Sequence, residues 1–402
     1  MRRARPQTRV APFNLQPFNP FNPSTFSHFG GAAATEPLTP SLPELIADTP
    51  LPSSTDHPAE AGSAARADAR PARHRILFVD HVYHKATRSA VFFVELLRRS
   101  FEVEIFYYDT YYHVQPPADK VAWADVIVYW EFLPSRFRIA EPGKRCVFVP
   151  MYDNEWGSRW QWRRIADSGM AVVSFCGRIT EHARKCGVKN LLDVRFALPP
   201  SPAPGNPRVA VLWDRGQVGI DQIRTLFAPG DLDKILLVRR PEPGLAFGPV
   251  PEDFRKAYHV ELHESGFLPD EEYHALLSEP GVYVAPRFKE GIGMAFLEAL
   301  AAGKLVVAHR DATMDEVVED GVNGRLVDMR NPGRITLPET PVDVRLERAR
   351  QRHERWKTDE TRILDFFNHS DSIPPCRGGW SPRSVLRYVL FAFEGVFFRL
   401  FH

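Results

Sequence analysis

Cysteine is scarce in this chain of 402 residues: only Cys146, Cys176, Cys186 and Cys376 occur, and no two stand at C-x-x-C spacing. That excludes a zinc ribbon and a thioredoxin-type redox pair, and a disulfide framework does not suit this size. Such usage suits a reducing compartment, and a cytoplasmic protein is expected. Charge of one sign is also lacking. Lys and Arg total 51 against 50 Asp and Glu, so no global basic field exists to hold nucleic acid. No apolar run is long enough to span a bilayer. The basic start at Arg2, Arg3 and Arg5 has no apolar stretch after it, as a secretory signal would. No G-x-G-x-x-G follows the apolar run Ile76–Asp80, which excludes a Rossmann oxidoreductase. Acidic clusters with metal-ligand spacing and a D-x-D loop are missing too. No metal and no cofactor is expected.

What is present is an alternation of two textures. Residues 1–72 are rich in Pro and low in complexity, with the run Gln16-Pro-Phe-Asn-Pro-Phe-Asn-Pro and prolines at 40, 43, 50 and 52. They read as a disordered extension. Order begins at Arg75-Ile-Leu-Phe-Val-Asp80, a continuous apolar run of the kind that fills a buried parallel strand. Further runs follow at 103–108, 125–130, 145–150 and 171–175. A helix is predicted over 87–99, with Thr87 as its cap. The Pro- and Gly-dense segment 198–207 reads as an interdomain linker. Beyond it a second series opens, with strands at 209–213, 234–238, 282–285 and 305–308. A helix at about 295–302 ends at Gly303. Strands alternating with helices predict α/β architecture: two Rossmann-like doubly wound domains facing across a cleft. The expected domains are 73–199 and 200–342. Residues 343–402 are expected to form helices packing back on the body. The apolar, aromatic stretch 384–401 reads as a packing helix, with an interfacial membrane helix as the sharper alternative.

The chemistry concentrates in Pro286-Arg-Phe-Lys-Glu290-Gly-Ile-Gly293-Met-Ala-Phe-Leu-Glu298-Ala-Leu-Ala-Ala-Gly303. A strand ends, a glycine loop follows, and a helix begins. Glycines allow backbone N–H groups to approach a ligand closely. The helix start adds unsatisfied N–H groups and partial positive charge, which suits a diphosphate. Two carboxylates flank that site. Beside a phosphate they are best used on hydroxyls, such as those of a sugar and a ribose.

In these residues the chain resembles the retaining glycosyltransferases of the GT-B type, specifically family 4 (glycosyl transferases group 1). Their signature is E-x7-E within a phrase like P-S-x-x-E-G-F-G-x-x-x-x-E-A-x-A-x-G-x-P-V-V. Glu290 and Glu298 stand at that spacing, and Gly291, Gly293, Ala299, Ala301 and Gly303 also match. Upstream, Gly266-Phe-Leu-Pro-Asp-Glu-Glu-Tyr is similar to the family's preceding loop and helix. Downstream, Glu316-Val-Val-Glu-Asp-Gly-Val-Asn-Gly324 is similar to its E-x-x-x-D-G-x-x-G segment. The resemblance is strong over about 262–328, weaker over 75–261 and absent before 73.

The resemblance implies that Glu290 binds hydroxyls of the donor sugar and Glu298 the nucleotide ribose. Gly291, Ile292, Gly293, Met294 and Ala295 would contact the sugar and diphosphate, and Phe267 and Leu268 the base. Arg215 matches the Arg of the family's G-R-x4-K-G. Its Lys position is unfilled, so Arg215 acts on the phosphates alone or with Arg239, Arg240 or Arg287. The family's Gly-Gly loop after the first strand is replaced by Asp80-His-Val-Tyr-His84-Lys85-Ala-Thr87-Arg88, and its later His by Trp130-Glu131. His84, Lys85, Arg88, Glu131 and Asp153 are therefore the candidates on the acceptor side.

Each has a bland alternative. Arg215 is as readily a surface ion pair, and His84, Glu131 and Asp153 suit structural roles. Trp156, Trp160 and Trp162 suit packing better than sugar stacking. The expected activity is hexosyl transfer from a UDP- or GDP-linked sugar to a glycan or lipid-linked acceptor, in cell-envelope polysaccharide or glycoconjugate synthesis. Its expected place is the cytoplasm or the inner face of the membrane, with peripheral membrane contact and no nucleic-acid partner. The rival is a catalytically inactive relative that only binds nucleotide sugar or glycan.

Overall fold

The computed structural model describes residues 74–109, 115–134, 139–154, 159–239, 246–264 and 270–377. The apolar runs become two all-parallel sheets of six strands. The first holds β1 (Arg75–His81), β2 (Glu102–Tyr108), β3 (Val126–Trp130), β4 (Arg145–Val149), β5 (Ala171–Ser174) and β6 (Leu191–Asp193) in the order β2-β1-β3-β4-β5-β6. The second holds β7 (Asn206–Asp214), β8 (Lys234–Arg239), β9 (Val260–Glu264), β10 (Pro280–Val284), β11 (Leu305–His309) and β12 (Gly324–Val327). Its order is β12-β11-β10-β7-β8-β9. This is the two-sheet α/β layout that the sequence led us to expect.

Helices join the strands: α1 (Val82–Thr87), α2 (Val91–Arg98), α3 (Ala118–Trp123), α4 (Arg159–Ser168) and α5 (Gly177–Lys185) accompany the first sheet. The second has α6 (Ile220–Leu226), α7 (Glu252–Ala257), α8 (Asp270–Ser278) and α9 (Met294–Ala301), and α10 spans Val342–Asn368. Central strands β3 and β10 are buried at every position, so neither face tolerates a polar residue, and continuous apolar runs result.

Several expectations need correction. The single helix predicted over 87–99 is two. Thr87 closes α1 instead of capping α2, because Arg88 turns left-handed (φ 57) and breaks the run. His81, not Thr87, caps α1 by accepting a hydrogen bond from Tyr83 N. Strands β6, β9 and β12 were not anticipated: β6 has three residues, and β9 is an edge strand with Glu261 exposed. The predicted linker runs into β7 at Asn206. Its middle is tied down, since Ser201 N and Ala203 N donate to Ala301 O and Ala302 O.

An apolar core runs continuously from the first sheet to the second, with Phe78, Phe93, Trp130, Tyr283, Phe296 and Trp356 among its members. Helix α10 is one reason. Near its start Arg345 Nε donates to Gly303 O at the end of α9 (2.8 Å). Further along, Trp356 packs edge-on against Phe92 and Phe196 of the first half, with ring centroids 6.0 and 5.0 Å away. Fully burying such an aromatic side chain stabilises by roughly 2–3 kcal/mol. Asp359 accepts from Arg195 N (2.9 Å). The helix therefore ties both halves together. The stretch 384–401 lies outside the described residues.

Candidate active site

In open α/β sheets, ligands settle beyond the carboxyl ends of strands where the strand order reverses. In the first sheet that point lies between β1 and β3, and in the second between β7 and β10. Residues leaving these four strands are His84, Glu131, Arg215 and the loop to Glu290, all singled out from sequence.

On the first side, His84 is clasped between two carboxylates. Its Nδ1 lies 2.6 Å from Asp80 Oδ1 and its Nε2 2.8 Å from Glu131 Oε2. Burial would push the imidazole pKa down, but the bonds to Asp80 and Glu131 dominate and push it up to about 10. The two carboxylates thus hold His84 as an imidazolium at neutral pH. Burial pushes the Asp80 carboxyl up, with His84 opposing. Glu131 is buried and adopts φ 66, a conformation that non-glycine residues seldom hold. Its other oxygen accepts from Asn154 Nδ2. Lys85 on α1 and Arg88 just after it are exposed.

On the second side the loop after β10 is held from beneath. Val218 N donates to Pro286 O (3.1 Å), and Phe288 N to Gln217 Oε1 (3.1 Å). Gly293 forms the N-cap of α9 with φ 72, and no side chain caps the helix. A Cβ at Gly293 would lie 1.7 Å from Phe296 Cε1. Only glycine fits this left-handed turn, and no side chain makes a cap hydrogen bond at the start of α9. Ile292, Gly293, Met294 and Ala295 are half-buried along that edge. Phe267 and Leu268 lie outside the described residues.

The two sides meet at Asp153. Arg287 Nη1 reaches Asp153 Oδ2 at 3.0 Å. A Cβ on Gly291 would lie 3.0 Å from Asp153 Oδ1 and 3.1 Å from Met151 Cβ. Burial, then the charges of Glu131 and Glu290, push the Asp153 carboxyl up to about 7, with Arg287 opposing. Three carboxylates and an arginine thus act on one another across the two halves. Buried Tyr283, in β10, shares Glu290 and Arg287 with this group: burial first, then Glu290 and Glu298, push its phenol far up, while Arg215 and Arg287 oppose. Glu298, on α9, accepts a hydrogen bond from Tyr273 Oη at 2.6 Å. Arg239, an expected helper of Arg215, instead donates to Gly248 O (2.6 Å) beside Asp214. Arg240 lies outside the described residues.

A second junction sits behind the glycine loop. Both oxygens of Glu316 accept from Gly177 N at the start of α5 (2.9 and 3.0 Å), and Arg195 Nε pairs with it at 2.6 Å. Arg178 bridges Asp311 and Asp315, and Tyr152 Oη donates to Asp311 (3.0 Å). Sequence reasoning placed Glu316 in a matching phrase without a role. Asp80, Asn154, Tyr273 and Arg195 were not selected either. Asp80 and Asn154 carried a signal, as polar residues where the chain leaves an apolar strand or stands beside a chosen candidate, and Tyr273 one as part of the similar segment 266–273. Trp162 is core, packed on Phe148 (6.2 Å), and Trp160 lies under Arg164.

Residues 256–336 match the family model described as Glycosyl transferases group 1. That segment runs from α7 through β12 and contains both Glu290 and Glu298. The sulfoquinovosyl transferase SQD2 of Arabidopsis thaliana is 26% identical over 135 residues, which is 33% of this chain and 25% of that protein. The chain therefore spans only a quarter of that relative. Among solved structures, Anabaena Alr3699/HepE in complex with UDP and glucose is similar over 74% of this chain and 100% of its own, at 15% identity and a TM-score of 0.45. Sucrose-phosphate synthase (tll1590) from Thermosynechococcus elongatus is similar over 75% and 100%, at 12% identity and a TM-score of 0.46. Among the described residues no group of three or more His, Cys, Asp or Glu is placed to hold a metal ion. None of their helices is long and apolar enough to cross a membrane.

Proposed function

We propose that this protein is a retaining glycosyltransferase of family 4. It moves a hexosyl group from a UDP- or GDP-linked donor to an acceptor hydroxyl in cell-envelope polysaccharide or glycoconjugate synthesis. The observation that carries the reading is the loop from Glu290 to Glu298. It sets two carboxylates on either side of a glycine turn and an uncapped helix start, inside the segment that matches the Glycosyl transferases group 1 family.

In this reading the diphosphate rests on the backbone of Gly291 to Ala295, with Arg215 countering its charge. Glu290 holds sugar hydroxyls and Glu298 the ribose. The bond from the anomeric carbon to the diphosphate oxygen breaks with its electron pair leaving on the diphosphate. The acceptor oxygen bonds to the same face of that carbon, and its proton passes to the departing phosphate oxygen. No metal is needed, because the helix start and Arg215 supply the positive field. Glu131 and Asp153 face the acceptor, with His84 holding Glu131 in place. The protein works in the cytoplasm or at the inner face of the membrane on a glycan or lipid-linked acceptor.

The test is calorimetric titration of the full chain with UDP and with GDP, beside Glu298→Ala. Saturable binding of one nucleotide, weakened about tenfold or more in the variant, is the expected result, since a hydrogen bond to a charged group is worth about 1.5–3 kcal/mol.

A further inference from the structure

Tyr273 closes the upstream segment 266–273 that is similar to the family's, but the resemblance gives it no role. It lies on α8, before β10 in the chain, whereas the glycine loop follows β10, yet its hydroxyl reaches Glu298. The contact is short, 2.6 Å from Oη to Oε2, as expected for a neutral hydroxyl donating to a carboxylate. Its ring also meets Trp213 at the carboxyl end of β7, with centroids 5.6 Å apart and planes tilted by 53°. Trp213 and Tyr273 are both half-buried. The phenol is therefore fixed at two ends, by its ring and by its hydroxyl.

The consequence falls on Glu298. A glutamate side chain has three rotatable bonds, and a fixed partner removes part of its rotamer freedom before a ligand arrives. A carboxylate has two oxygens. With Oε2 engaged by Tyr273, Oε1 is the oxygen left to face a ligand. Burial pushes the Glu298 carboxyl up, and the Tyr273 bond opposes this, so the phenol helps keep the group ionised. The phenol itself is pushed far up, by burial first and then by Glu298, so it stays a donor throughout the physiological range.

We propose that Tyr273 is a positioning residue for the nucleotide: it anchors one oxygen of Glu298 and aims the other at the ribose hydroxyls, so that this chain distinguishes a ribonucleotide from one lacking them. The inference rests on the proposed role of Glu298 in binding the donor's ribose. Tyr273 does not itself touch the reacting atoms.

The experiment uses the full chain, wild type and Tyr273→Phe, titrated calorimetrically with UDP and GDP and with their 2′,3′-dideoxy counterparts. Phe keeps the ring beside Trp213 and removes only the hydroxyl. Wild type is expected to prefer the ribonucleotide by about tenfold or more, the value of a charge-assisted hydrogen bond. Tyr273→Phe is expected to reduce that preference to about threefold or less while leaving dideoxynucleotide affinity unchanged. Ribonucleotide binding by the variant is also expected to weaken at higher pH than in wild type as the solution is acidified, because Glu298 loses the bond that opposes its protonation. Equal weakening of both nucleotides would mark a merely structural role and overturn the inference. So would an unchanged preference with an unchanged pH profile. If folded wild type binds neither ribonucleotide, the reading of the whole site fails, which is distinguishable from failure of the Tyr273 role alone.

Discussion

Gly293→Ala puts the glycine loop under a direct test. Two penalties apply at this position. The first is conformational: φ is +72, and an L side chain in the left-handed region costs about 1–2 kcal/mol. The second is steric. The new Cβ would lie 1.7, 2.3 and 2.9 Å from Phe296 Cε1, Cδ1 and Cζ, and Phe296 is only 2% exposed. Its ring cannot swing into solvent, so the core or the loop must shift, at roughly 1–3 kcal/mol. Together the loss is about 2–5 kcal/mol. Gly143→Ala separates the two terms, because Gly143 has φ +77 but nothing within 4 Å of its Cβ position. That variant should lose only about 1–2 kcal/mol. Urea unfolding followed by tryptophan fluorescence measures both. If Gly293→Ala is no less stable than Gly143→Ala, Phe296 yields freely and the close packing argued for the start of α9 is wrong.

His84 titrates at about 10 in the fold against 6.5 ordinarily. Its raised pKa means that its stabilisation is complete below about pH 6.5 and is lost as pH rises towards 10. Comparing urea midpoints at pH 7 and 9.5 should show a fall in wild type that His84→Gln lacks; parallel profiles would contradict the clasp between Asp80 and Glu131. Glu316→Gln should cost about 1–2 kcal/mol by urea unfolding. Arg195 then loses one of its two carboxylate partners, Asp193 remaining, and the partial exposure of the pair keeps the cost below that of a fully buried one. No loss would mean that the charge pair between Arg195 and Glu316 contributes nothing.

How much of this was legible in the sequence follows from burial. Central strands such as β3 and β10 are buried at every position, because both faces are covered, and each was visible as a run of apolar and aromatic residues. Edge strand β9 reads Val-Glu-Leu-His-Glu and exposes its glutamates, so no apolar run marks it. The break between α1 and α2 depends on Arg88 turning left-handed, which residue type does not announce. Glu290, Glu298 and the glycines were selected because the whole phrase around them resembles the family's and falls on one strand–loop–helix unit. Contacts made across the fold were not. Nothing in the sequence links Tyr273 to Glu298, Asp80 to Glu131 through His84, or Glu316 to Gly177 and Arg195. These pairings exist only once the strands are ordered.

The central claim is that the loop from Glu290 to Glu298 binds a nucleotide sugar. Calorimetric titration of the full chain with UDP and GDP, beside Glu298→Ala, tests it most directly. The account predicts saturable binding of one nucleotide without added divalent metal, weakened about tenfold or more in the variant. Binding of neither nucleotide by folded protein, or binding of equal strength in wild type and variant, would contradict it.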